Sequence, residues 1–113
     1  MLNSGQVYFF QLRTVGGAVA DADPEATAYA HRDAAFSVVA MGTTRRRLDR
    51  AWDALGENFD GLYLSFESDP RPDRLADAFP PKTLARLRDL KHRYDPDNLF
   101  RDNFNIDPAT ETA

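Results

Sequence analysis

Side chains able to do chemistry are sparse in this sequence, and the missing ones narrow the options first. There is no cysteine, so thiol catalysis, disulfides and cysteine-ligated metal are excluded within the chain. The two histidines, His31 and His92, lie far apart and lack ligand spacing, so no metal site is expected. Gly16-Gly17 follows an apolar run, but neither Gly-x-x-x-x-Gly-Lys-Ser/Thr nor Gly-x-Gly-x-x-Gly occurs, so there is no phosphate-cradling motif. Polar and aromatic groups gather at three places: His31-Arg32, Tyr63-Leu64-Ser65-Phe66, and Asp95-Pro96-Asp97-Asn98. A phenol can accept a proton when its pKa is lowered, whereas the phenyl ring of Phe66 cannot. Taken alone, His31 fits a hydrogen-bonded structural histidine and Arg32 an ion-pair partner. Asn98 fits a turn former as well as it fits a ligand contact.

Charge and length exclude further classes. The chain has 113 residues, a net charge of −4 and an isoelectric point near 5.0, which allows at most one domain. No basic block carries aromatic partners, so nucleic acid is not an expected ligand. Arg45-Arg46-Arg47 opens a helical pattern and reads as a solvated face. No signal peptide and no apolar run of spanning length is visible, so no membrane partner is expected and the expected compartment is the cytoplasm.

The elements that must position these groups read as an α+β fold: an antiparallel sheet covered by helices on one face, then a C-terminal helix and an extended tail. Residues 7–12 are apolar on both alternating faces, which predicts a strand buried from both sides. So short a chain has few elements to cover two faces, a first hint that part of the sheet is missing. The paired glycines predict a bulge or a close approach of another backbone or ligand. Residues 35–41 read as a second strand. Residues 43–55 read as an amphipathic helix with Leu48, Ala51, Trp52 and Leu55 on one face and Gly56 at its end. Residues 61–67 alternate as a strand, with Leu62, Leu64 and Phe66 opposite Tyr63 and Ser65. Asp69-Pro70 should open a short helix. Residues 83–93 form the last helix, with Leu84, Leu87, Leu90 and Tyr94 as its buried stripe. Asp95-Pro96 ends it, and the Asp97 and Asn98 side chains should close a turn on their own backbone.

Leu90-Lys91, Tyr94-Asp95-Pro96, Asn98, Phe100-Arg101 and Asn103 through Ile106 together closely resemble the C-terminal signature of the berberine bridge enzyme-like family of FAD-linked oxidoreductases. Gly16-Gly17-Ala18, Thr27-Ala28, Tyr29 and His31-Arg32 resemble the region upstream of it, so the match runs from about Val15 to Ile106. The resemblance implies flavin-mediated oxidation of a small organic substrate, with FAD as the cofactor of the intact enzyme. It implies Tyr63, Ser65 and Asn98 near the cofactor, and His31, Arg32 and Phe66 toward the substrate. The 61–67 stretch aligns with the family's Tyr-x-Asn-Tyr strand but has Ser65 for the asparagine and Phe66 for the last tyrosine, so no catalytic residue is assigned. The implied division is residues 1–93 as a partial substrate-domain region, 94–106 as the signature and 107–113 as a disordered tail. The implied partners are an FAD-binding domain, upstream or on a separate chain, and a small-molecule substrate, with a homo-oligomer also possible. The alternative is a non-catalytic small α+β domain that binds a partner or a small molecule.

Overall fold

The computed structural model describes residues 7–109. Its elements are strands β1 (Val7–Thr14) and β2 (Phe36–Gly42), then helices α1 (Arg45–Gly56), α2 (Arg74–Ala78) and α3 (Pro81–Tyr94). Short 3₁₀ turns occur at Gly17–Val19 and Leu64–Phe66. This is the expected α+β class. The chain divides into two compact units: one takes in the described residues up to Ala22 together with His31–Asp60, the other takes in Asp23–Ala30 and the chain from Gly61 on.

In the first unit, β1 and β2 pair antiparallel, with Phe10 opposite Ala40, Leu12 opposite Val38 and Thr14 opposite Phe36. The Val15 N–H extends the ladder to Ala35 O at 2.9 Å. The expected burial of β1 from both sides is not what these residues achieve. Tyr8 is 69% exposed, Leu12 58% and Phe36 57%, because two strands and one neighbouring helix offer too little surface to cover both faces. The bulge expected at the glycines lies instead between Val7 and Phe9. Gly16 and Gly17 take φ of 152° and 52°, and nothing lies within 4 Å of where a Cβ would be built at either. Backbone conformation alone therefore asks for glycine there, as the chain leaves the strand for a 3₁₀ turn. Helix α1 follows its predicted span closely. Thr44 occupies the N-cap position without a side-chain cap bond, and the Trp52 ring packs against Phe59 at 5.2 Å.

In the second unit, residues 61–67 do not form the expected strand. A strand needs a ladder partner, and none pairs with this segment among the described residues. Its backbone closes on itself, with the Glu67 N–H on Leu64 O at 3.0 Å. The Leu62 N–H goes to Asp77 O at 3.1 Å. Helix α2 begins at Arg74 and not at Asp69-Pro70, because the Asp69 carboxylate is engaged by Arg71 Nε at 3.0 Å. Helix α3 starts two residues earlier than expected. Pro81 sits at the first helical position, where a missing N–H costs nothing, and Leu84 N–H reaches Pro80 O at 2.9 Å. Its apolar stripe is only half realised: Leu84 and Leu87 are half-buried, whereas Leu90 is 40% and Tyr94 73% exposed. Ala78 is the one apolar side chain among the described residues that is buried outright. The Ala109 N–H still bonds Arg88 O at 3.2 Å, while 110–113, the rest of the expected tail, lie outside the described residues.

Open faces this apolar should take up an apolar dye. Mixed with an anilinonaphthalene sulfonate, the purified chain is expected to enhance its fluorescence under native conditions, and Tyr8→Lys with Leu12→Lys to reduce the signal. A cooperative monomer that leaves the dye unchanged would show these faces to be covered.

Candidate functional site

The best-ordered polar constellation lies where α3 ends. Pro96 forces Asp95 out of helical geometry, so the helix stops with Asp95 as its C-cap, and the Asp95 N–H still bonds Lys91 O at 2.8 Å. The Asp95 side chain then turns back over the chain that follows. Its Oδ1 accepts the Leu99 N–H at 2.8 Å and its Oδ2 accepts the Phe100 N–H at 3.0 Å. Lys91, one turn back on α3, donates to Asp95 Oδ2 and to Phe100 O, both at 2.5 Å. The two charged side chains are 15% and 10% exposed, which shields the pair from solvent screening. A carboxylate, an ammonium and three backbone groups thus satisfy one another.

Sequence reasoning gave the closing role to Asp97 and Asn98, and the structure gives it to Asp95. Asp97 is exposed. Asn98 contributes backbone: its φ is 51°, a left-handed conformation that asparagine tolerates better than most residues, and its N–H bonds Asp95 O at 3.0 Å. Asn98 Oδ1 is buried without a hydrogen-bond partner among the described residues. The loop leaves Leu99 75% and Phe100 81% exposed on a fixed backbone. The Arg93 guanidinium lies 5.3 Å from the ring centre of Tyr94.

A second cluster forms at the Leu64–Phe66 turn. Tyr63 meets Tyr29 edge to face at 5.8 Å and Phe66 at 6.0 Å. Tyr63 and Phe66 remain about half exposed, at 51% and 49%. Ser65 is exposed on the same turn. Tyr29 was not singled out from the sequence, although it stands in the quoted Thr27-Ala28-Tyr29 run, where its N–H bonds Thr27 Oγ1 at 3.3 Å. The structure therefore brings Tyr63 and Phe66 together with Tyr29, and organises Asn98 with Asp95 in the same unit. His31 and Arg32 belong to the other unit, both half-buried, with Arg32 Nη1 donating to Val19 O at 3.5 Å. No helix among the described residues is long and apolar enough to cross a membrane.

The sequence model of the family described as "Berberine and berberine like" matches residues 66–107, the stretch from Phe66 through the α3 terminus and the loop closed by Asp95. Over residues 66–107 the chain is thus similar to the berberine-like family. Two curated relatives agree. The chain is 33% identical over 99 residues to the (R)-6-hydroxynicotine oxidase of Paenarthrobacter nicotinovorans, an alignment covering 76% of this chain and 22% of that protein. It is 29% identical over 122 residues to the FAD-linked oxidoreductase sorD of Penicillium rubens, covering 96% of this chain and 26% of the relative. The chain thus spans about a quarter of the length of the curated relatives it matches. The resemblance read from the Tyr94–Ile106 signature is borne out.

In this berberine-like segment the Lys91 ammonium hydrogen-bonded to Asp95 holds the carboxyl below the ordinary aspartate value. Desolvation opposes that shift, and the Leu99 and Phe100 N–H groups reinforce it. A carboxyl more acidic in the folded than in the unfolded chain stabilises the fold when ionised. That contribution is complete above the unfolded aspartate value of about 3.9, and is lost as pH falls through the folded value. In urea unfolding at a series of pH values, Asp95→Asn is expected to lower stability at neutral pH and to flatten the acid limb below about pH 4. Parallel curves for wild type and variant would show the carboxylate to be energetically idle.

Proposed function

We propose that this chain is the C-terminal portion of an FAD-dependent oxidoreductase that oxidises a small organic substrate, with oxygen as the acceptor. The observation that carries the reading is the berberine-like match to residues 66–107 on a loop whose backbone is locked while its side chains stay open. The bound FAD would supply the redox step, taking up hydride from a carbon or alcohol centre of the substrate.

The residues present fit contact with such a cofactor, and do not by themselves make up a whole site for it. Asn98 offers a buried amide oxygen that no described residue satisfies, and Tyr63 offers a half-open phenol on the turn that carries the exposed Ser65. These would orient the cofactor, while an FAD-binding domain, upstream or on a partner chain, would hold its phosphates. His31, Arg32 and Phe66 are proposed for the substrate side. Phe66 can shape a pocket and exclude water but cannot take a proton, so the base, if the oxidation needs one, lies elsewhere. The same Phe66, with its half-exposed ring, is what favours the second reading of a non-catalytic domain that binds a partner or a small molecule.

Flavin absorbance decides between the readings. Protein purified with and without added FAD, alone and together with an FAD-binding domain, is expected to hold a saturable flavin whose visible band shifts in Tyr63→Ala. Asn98→Gly is expected to keep the fold, because glycine accepts the left-handed backbone, and to shift the band as well. Asn98→Val should instead cost about 1–2 kcal/mol of stability. A saturated flavin indifferent to Tyr63→Ala and Asn98→Gly would favour the non-catalytic domain.

A further inference from the structure

The turn that presents Tyr63 and Ser65 has no strand beside it among the described residues, yet a closed circuit of polar contacts fixes it. Its first anchor is the Leu62 N–H on the backbone oxygen of Asp77. The second is the Glu67 carboxylate. Oε1 accepts the N–H groups of Ser68 and Asp69, each at 2.8 Å, and Oε2 faces Arg74 Nε at 3.8 Å. Glu67 and Arg74 are each 16% exposed, so the pair is sheltered from solvent. Arg74 in turn donates to Asp77 Oδ2 at 3.3 Å, on the residue that holds Leu62. Leu62, Asp77, Arg74 and Glu67 therefore form a ring of contacts around the turn.

We propose that Glu67 is a positioning residue: acting through the Ser68 and Asp69 N–H groups and through Arg74, it sets the orientation in which Tyr63 and Ser65 are offered to a bound ligand. This rests on the reading that those two residues face the flavin. In this role Glu67 touches no reacting atom. Its charge matters because one ionised carboxylate serves two backbone donors and a guanidinium together, and charge-assisted bonds of this kind are stronger than neutral ones. Alanine would leave both N–H groups and Arg74 without that acceptor. Glutamine would keep an amide oxygen for the two N–H groups and give up only the charge.

Two readouts test this. On the full chain, NMR contacts between the Tyr29 and Tyr63 rings are followed with amide exchange at Asp69. Glu67→Ala is expected to lose the ring contact and to raise exchange at Asp69 about tenfold, while Leu99 and Phe100 amides keep wild-type exchange. Glu67→Gln keeps the two backbone bonds and loses the ion pair, so it is expected to recover part of the ring contact. Retention of the contact in the alanine variant, or equal loss in both variants, overturns the proposal. Should Glu67→Ala not fold, Arg74→Gln removes the ion pair and leaves the backbone bonds; a weakened ring contact supports the proposal and a wild-type one overturns it. In the flavin-loaded protein, Glu67→Ala is expected to shift the visible band and Glu67→Gln to shift it less. A band indifferent to Tyr63→Ala would mean that the cofactor reading fails, while the ring contacts still report on Glu67.

Discussion

The ammonium of Lys91 and the carboxylate of Asp95 meet one helical turn apart, and the C-terminal segment takes its shape from that pair. Pro96 ends α3, and an ending helix leaves carbonyls and a departing backbone to be satisfied. Asp95 takes two of the departing N–H groups, and Lys91 takes one of the departing carbonyls. The charges lie close together and are mostly sheltered, so removing either would strand the other in a poorly solvated place. Beside the backbone bond from the Asn98 N–H to Asp95 O, the run from Asp95 to Phe100 hangs on these two side chains.

Such economy suits a segment made to be received by something else. The latch spends its polar groups on itself and turns Leu99 and Phe100 outward. In the other unit, the β1–β2 pair likewise keeps large apolar side chains in the open. A monomer seldom carries this much ordered apolar surface without a use for it. The proposed assembly with an FAD-binding domain gives that surface an occupant, and it agrees with a chain that spans about a quarter of its relatives' length.

Much of this architecture was legible in the sequence because the signals were local. Amphipathic spacing located α1 and α3, β-branched and aromatic runs located both strands, and Asp95-Pro96 marked the end of the last helix. The failures share one cause, which is that the deciding contact was one that apolar spacing and alternation do not encode. Alternation at 61–67 reads as a strand, but alternation supplies only faces and never the ladder partner, and here the backbone closed into a turn under α2 instead. Asp95 looked like a helix breaker, so its carboxylate went unconsidered as the group that closes the loop, and that work was given to Asp97 and Asn98. Glu67 and Arg74 drew no reading from the sequence, since nothing in their spacing announces that the carboxylate will cradle two backbone amides and pair with a guanidinium seven residues on.

One ionised carboxylate, that of Asp95, organises the loop that leaves α3. The most direct measurement is a carbon-detected NMR titration of the Asp95 carboxyl, followed together with the amide shifts of Leu99 and Phe100. The expected result is a midpoint below the ordinary aspartate value of about 3.9, both amides moving with it, and a return toward that value in Lys91→Gln. An ordinary midpoint in the wild type, with the two amides indifferent to it, would contradict the claim.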